Sequence, residues 1–386
     1  MLPQSTAGLP LSRPYDEAVL DLVALDMPSS PRLFDHVVEE WDRGNAVIIL
    51  DQRIADDLKR RHVETAGATR IIDRNGHSSP ASGSPVEPGD ALVVMTSGST
   101  GKPRAVVHTH ESIAASARAS LARLHTTADD HWLLCLPPSH VGGMSVFTRC
   151  RFGNIPLTVH ETFDADRVMD AARNGVTHVS LVLTALRRIE ESLFRLILLG
   201  GSSMPEHLPL NVVTTYGLTE TMGGVVYDGH PLDHVEIRFE NEEILIKSPM
   251  TMRCYRGGEN TPEWFATGDL GHLSDDGRLV VEGRRGDLIV TGGEKVWPSS
   301  VEQVLLEHPA VQECVVRGLP DEEWGARVVA WIIPADTDPQ LDELRDWVRA
   351  RLSPIHAPKE LRLIDEVPRT ALGKVDQSAL LAAEWR

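Results

Sequence analysis

Apolar runs of strand length alternate with helical stretches from residue 91 to about 230, and this alternation predicts a layered α/β domain. Near residue 234 the period changes. Val235, Ile237 and Phe239 alternate with polar residues, and Ile244 and Ile246 do so again after an acidic turn, which predicts a β-rich portion of the same domain. After Gly286 a shorter set of strands and helices follows, enough for a small α+β domain. A chain of 386 residues can bury more than one core, so two domains are expected, 1–285 and 286–386.

The elements follow from local chemistry. The first residues carry prolines at 3, 10, 14, 28 and 31, then Leu33 to Trp41 has helical spacing and Ala46 to Leu50 reads as a buried strand. Gly76 to Gly89, rich in Ser, Pro and Gly, is an exposed connection. Ala91 to Met95 and Arg104 to Thr109 read as two strands joined by a polar loop, with a helix from Glu111 to Leu124. Trp132 to Leu136, Val176 to Val182 and Arg195 to Leu199 are further strands, and Asp275-Asp-Gly277 marks a turn. Ser299-Ser-Val-Glu302 has the spacing of a reciprocal helix cap before a helix ending at His308. Strands near 311–317, 327–333 and 361–365, with a helix over 339–352, complete the small domain.

Composition narrows the function. Apolar content of 41% and charged content of 24% are those of a soluble globular chain, and no run approaches a membrane span of about 20 apolar residues. The start lacks the basic-then-apolar order of a signal peptide, and four scattered cysteines with no CxxC pair fit a reduced, cytoplasmic protein without structural zinc. A formal charge of −18 argues against broad nucleic-acid binding and leaves any anionic ligand to local cations. Only six of the 38 basic residues are lysines, and Lys102, Lys295 and Lys374 fall inside glycine-containing motifs, where a compact ammonium suits a phosphate or carboxylate.

The densest of these motifs is Thr96-Ser-Gly-Ser-Thr-Gly-Lys-Pro-Arg104. Gly98 and Gly101 let backbone N–H groups converge, Ser97, Ser99 and Thr100 add short donors, and Lys102 adds charge: a loop suited to an oxyanion. It differs from a Walker A loop, because its glycines are two residues closer and Pro103 follows the lysine. A Ser/Gly-rich surface turn is the bland alternative.

The loop resembles the phosphate-binding signature of the adenylate-forming superfamily of acyl- and aryl-CoA ligases, luciferases and peptide-synthetase adenylation domains. Other segments resemble the family's motifs in the family's order: Tyr216-Gly-Leu-Thr-Glu220, Thr267-Gly-Asp269, Gly283-Arg284 leading to Asp287-Leu-Ile-Val-Thr-Gly-Gly-Glu-Lys295, and Pro368-Arg-Thr-Ala-Leu-Gly-Lys374. Within it, the short N-terminal part, Leu136-Pro-Pro-Ser-His-Val-Gly-Gly143 and Leu372-Gly-Lys-Val-Asp376 are most similar to the o-succinylbenzoate–CoA ligases of menaquinone synthesis.

The resemblance implies an ATP-, Mg²⁺- and coenzyme A-dependent ligase that passes through an acyl-adenylate, with a C-terminal domain that moves between two half-reactions. Thr96 to Lys102 would hold the β- and γ-phosphates, Thr219 would touch the α-phosphate and Glu220 would help hold Mg²⁺. Gly200, Gly201, Ser202 and Ser203, with Thr214, Thr215, Tyr216 and Gly217, would wall the adenine and acyl pocket. Asp269 and Arg284 would contact the ribose, Arg285 being a solvated charge, and Lys374 would bridge the attacking carboxylate and the α-phosphate. His140, between Pro137-Pro138 and Gly142-Gly143, would gate the acid, and Arg149 is the candidate cation for a second carboxylate. Gly292, Gly293 and Lys295 would line the pantetheine route. The hinge position, commonly Asp or Lys, is Gly286 here, which permits rotation without a side chain to fix an end state. His108 and His110 alternate on a strand without a third ligand, so metal binding is not expected there.

Expected partners are small molecules, with no nucleic acid and no membrane span; a homo-oligomer is compatible with the sequence. Another acyl- or aryl-CoA ligase, a carrier-loading adenylation enzyme and a non-catalytic nucleotide-binding protein are the competing readings.

Overall fold

The structure, a computed structural model, describes residues 20–96, 103–201, 207–369 and 375–386, and the counts of elements below are of those residues. The chain divides into two compact units: residues 1–238 with 245–267 and 273–279, and residues 239–244 with 268–272 and 280–386.

The first unit is built on two seven-stranded sheets. One runs in the order Cys254–Tyr255, Arg104–Thr109, Asp90–Thr96, Ala46–Ile49, Leu22–Asp26, Arg70–Asp73, Ser78–Pro80. Its four inner strands are parallel and its edges antiparallel. The second runs His230–Pro231, Gly223–Tyr227, Val212–Leu218, Leu196–Leu199, His178–Leu181, Trp132–Leu134, Leu157–Val159, with its last five parallel. Parallel strands need helical crossovers, which is why their residues are apolar on both faces. Leu22, Ala24, Ile48, Val93 and Val107 form one buried cluster, and Leu133, Val179, Ile197 and Leu199 belong to another.

Most expected elements appear within a residue or two. The helix expected from Leu33 runs Pro31–Asp42, because Ser30 accepts the Leu33 N–H and Pro31 opens the first turn. The strands around the polar loop pair antiparallel, Thr96 opposite Arg104, and the helix after them is His110–Leu124, capped by Thr109. All four cysteines are buried and free.

The second unit has a three-stranded sheet, Val311–Asp321, Gly325–Pro334 and Glu360–Leu363, packed by helices Pro298–Leu306 and Leu341–Arg349, and a small hairpin, Ile289–Thr291 with Glu294–Val296. Val301, Leu305, Val316, Val328 and Val348 fill its core. The reciprocal cap expected at Ser299 does not form. Pro298 starts the helix earlier, Ser299 donates to the Glu282 carbonyl instead, and Glu302 turns to the Val316 N–H at 2.8 Å and to Arg317. A four-stranded sheet, Glu236–Glu240, Glu243–Lys247, Phe265–Leu273 and Leu279–Arg284, contributes residues to both units. Among the described residues no helix is long and apolar enough to cross a membrane.

Candidate active site

The motif residues fall into two groups, one in each unit. In the first unit the strand Val212–Leu218 carries Thr215, Tyr216 and Gly217 and ends in a single tight turn, Thr219–Thr221. The chain then reverses through Met222 and Gly223, both at positive φ, into Gly223–Tyr227. This close return requires glycine at 217: a Cβ there would lie 1.9 Å from the Gly223 carbonyl oxygen. Gly200 is under a similar constraint, since its Cβ would come within 2.7 Å of Thr215 Oγ1. Thr215 itself donates to the Leu199 carbonyl, so the glycine pair after the Leu196–Leu199 strand and the tyrosine-bearing strand form one wall.

Glu220 sits on that turn, buried, and its surroundings were not legible in the sequence. The Tyr255 hydroxyl donates to Glu220 Oε1 at 2.7 Å, and Arg104 Nη2 stands 3.8 Å from the same oxygen. The Arg104 guanidinium also lies over the Tyr255 ring, 4.0 Å from its centroid. Tyr255 reaches this position because Cys254–Tyr255 pairs with Val106 and Val107 at the sheet edge. Arg104 and Thr96, the described flanks of the polar loop, are cross-strand partners. The carboxylate of the turn and the stem of the loop therefore meet at one place. Ser97, Gly98, Ser99, Thr100, Gly101 and Lys102 themselves lie outside the described residues, as do Ser202, Ser203 and Lys374.

Thr219 is held from behind. His108 Nε2 lies 2.7 Å from the Thr219 carbonyl oxygen, and since a carbonyl only accepts, Nε2 carries the proton. Burial brings the His108 pKa down to about 4, against the opposing pull of the Thr219 bond and of Glu220, so the ring is neutral at physiological pH.

His140 stands at the N-cap position of the helix Val141–Gly153 without a side-chain capping bond, its Nε2 3.3 Å from Asp51 Oδ2. In that helix Gly143 packs against backbone, its Cβ position only 2.3 Å from the Pro137 carbonyl oxygen, while Gly142 is open enough for a side chain. Two turns on, Arg149 is buried to 3% exposure. Its guanidinium donates to Ser180 Oγ at 3.1 Å, stands 3.5 Å from the hydroxyls of Ser120 and Ser145, and rests over the Trp132 ring at 4.6 Å. Burial lowers its proton affinity, opposed by Tyr227 and Cys150. Among the described residues no carboxylate lies within ion-pair distance, and Nε has no hydrogen-bond partner. A buried cation surrounded by hydroxyls is a site with capacity for an anion.

In the second unit Asp269, also buried, pairs with Arg284 Nε at 2.7 Å. Arg285, expected as a solvated charge, pairs with Glu243 at 3.1 Å, and Lys295 pairs with Glu242. Gly292 and Gly293 have φ of 59° and 84°, and a Cβ at 292 would strike the Trp324 ring at 2.8 Å. No group of three or more His, Cys, Asp or Glu suited to a metal occurs among the described residues.

The family model for AMP-binding enzymes matches residues 29–260, and that for the AMP-binding enzyme C-terminal domain matches residues 300–374. A probable 2-succinylbenzoate–CoA ligase of Mycobacterium tuberculosis is 38% identical over 352 residues, covering 83% of this chain and 88% of the relative. The 2-succinylbenzoate–CoA ligase of Bacillus subtilis is 34% identical over 335 residues, covering 75% and 68%. Among solved structures, the Bacillus subtilis o-succinylbenzoate CoA synthetase in complex with the acyl-adenylate OSB-AMP superposes with a TM-score of 0.85 at 28% identity, over 95% of this chain and 89% of that one. The same enzyme with ATP and magnesium gives 0.83, over 94% and 89%. The chain belongs to the AMP-binding, adenylate-forming family of enzymes.

Proposed function

We propose that the protein is an ATP-dependent acid–thiol ligase of the cytoplasm that converts o-succinylbenzoate to its CoA thioester through an acyl-adenylate. The observation that carries the nucleotide half of this reading is the convergence of Glu220, Tyr255 and Arg104 at the stem of the serine- and glycine-rich loop. The acid half is supported by relatives that share this acid in their names and by the buried Arg149, which has no carboxylate partner among the described residues, since o-succinylbenzoate has a second carboxylate beyond the one activated.

Glu220 fits a hard divalent cation, because it offers carboxylate oxygen. With no larger cluster of ligands among the described residues, Mg²⁺ would take most of its oxygens from phosphates and water. Bound there, it would neutralise charge on the departing pyrophosphate. Thr219, fixed through its carbonyl by His108, would touch the α-phosphate. The loop Thr96–Lys102 would hold the β- and γ-phosphates. His140, Gly142, Gly143 and Ser203 would contact the acid, Gly142 having open space beside it. Asp269 accepts the ribose hydroxyls and Arg284 orients it, their own ion pair keeping both in place. Lys374 would supply the ammonium that bridges the carboxylate and the α-phosphate. Residues 286–386 act as the moving domain, with Gly286 as its pivot and the Gly292–Gly293 turn, floored by Trp324, on the pantetheine route with Lys295.

The test is AMP release with CoA and a panel of acids. Release with o-succinylbenzoate well above that with benzoate or fatty acids is the expected outcome. Preference for a monocarboxylate would remove the substrate assignment, and failure to form pyrophosphate with any acid would remove the adenylation reading itself.

A further inference from the structure

Asp51 stands just beyond the strand Ala46–Ile49 of the first sheet, and His140 beyond Trp132–Leu134 of the second. Both are therefore at the carboxyl ends of parallel strands, where α/β sheets place ligands. Asp51 is 5% exposed. Arg53 saturates one side of it, with its backbone N–H and Nε each 2.9 Å from Oδ1 and its Nη2 2.6 Å from Oδ2. The remaining approach to Oδ2 comes from His140 Nε2 at 3.3 Å.

Arg53 Nη2 also lies 3.4 Å from that imidazole nitrogen. A guanidinium only donates, so Nε2 cannot serve both neighbours: it either accepts from Arg53 or donates to Asp51. A buried carboxylate draws the donor, and Arg53 Nη2 is already committed to Oδ2 at the shorter distance. Burial by itself would raise the Asp51 pKa, but the bonds from Arg53 and His140 outweigh it and hold the carboxyl below its usual range. His62 completes the cluster. Burial pulls its proton affinity down, with Asp51 opposing and His140 adding to the effect.

We propose that Asp51 is a positioning residue that fixes His140 as the Nε2–H tautomer and holds its ring in one orientation for the acid substrate. The inference rests on the reading of His140 as a residue at the acid. Asp51 touches no reacting atom; it acts through the imidazole, as an orienting carboxylate does for a histidine in other acyl-transfer sites.

The experiment compares Asp51→Asn, His140→Ala and the double variant in the full chain by acid-dependent pyrophosphate exchange. Asp51→Asn is expected to raise the KM for o-succinylbenzoate by about tenfold, with the KM for ATP unchanged, and to add less than about twofold in the His140→Ala background. If Asp51→Asn costs the same factor with and without His140, or raises both KM values alike, Asp51 is only a structural residue and the inference falls. If His140→Ala leaves the KM for the acid at its wild-type value, the reading of His140 fails instead, and with it the purpose assigned to Asp51. A measurement on the unaltered protein guards against a variant that does not fold. Side-chain ¹⁵N resonances of the histidines, with His140 assigned by its loss in His140→Ala, should report a proton on Nε2, and an Nδ1–H tautomer would overturn the inference.

Discussion

The side chain of His108 donates to the main-chain carbonyl of Thr219, 111 residues further along, and so couples the strand leaving the polar loop to the turn that carries Glu220. The donating ring is fully buried, and burial keeps it neutral, which links the stability of this contact to pH.

For a histidine whose folded pKa is depressed to about 4 from 6.5, the unfolded chain binds more protons between those values. Stability is therefore complete above about pH 6.5 and declines as pH falls toward 4. The His108 share is roughly 3 kcal/mol, from about 1.4 kcal/mol per pKa unit. His178, also brought to about 4 by burial against the pull of Asp130, adds in the same direction. Denaturant unfolding of His108→Gln, which retains a donor for Thr219, should show a clearly shallower loss of stability across this window. An unchanged slope would mean that the ring is not held neutral.

Removing the Tyr255 hydroxyl takes a hydrogen bond from a buried carboxylate, a change typically costing about 1.5–3 kcal/mol. Tyr255→Phe should lower kcat/KM for ATP about tenfold and raise the Mg²⁺ concentration needed for half-maximal pyrophosphate exchange, with the KM for the acid little altered. A loss confined to the acid would contradict the assignment of Glu220 to the metal.

Arg149 separates stability from substrate choice. It is a buried cation without a carboxylate partner among the described residues, so Arg149→Met should leave the melting temperature equal or higher. The same change should cut kcat/KM for o-succinylbenzoate by about thirtyfold or more while altering use of benzoate less than about threefold. Equal losses for both acids would assign Arg149 to the scaffold.

Lys374→Ala should reduce adenylate formation about a hundredfold or more while leaving CoA transfer from supplied acyl-adenylate near the wild-type rate. Separate single-turnover measurements of the two half-reactions decide it; parallel losses would count against the bridging role.

Much of this molecule can be read from its amino acids in order. Strand runs such as Ala46 to Leu50 and Ala91 to Met95 announce themselves because a parallel sheet buried on both faces demands unbroken apolar residues. The glycine motifs are equally visible, since only glycine tolerates approaches like that of Gly217 to Gly223. Those features are local, and short-range sterics and hydrophobicity suffice to specify them. The partners of the motif residues are another matter. Nothing near Tyr255 in the chain connects it to Glu220, and the short sequence around Asp51 gives no hint of His140. The expected cap at Ser299 shows the converse: local spacing favoured a bond that Glu302, drawn to Val316 and Arg317, does not make. Such pairings depend on which strands become neighbours, and that is settled by burying the sheets' apolar faces together, a long-range choice that no single segment encodes.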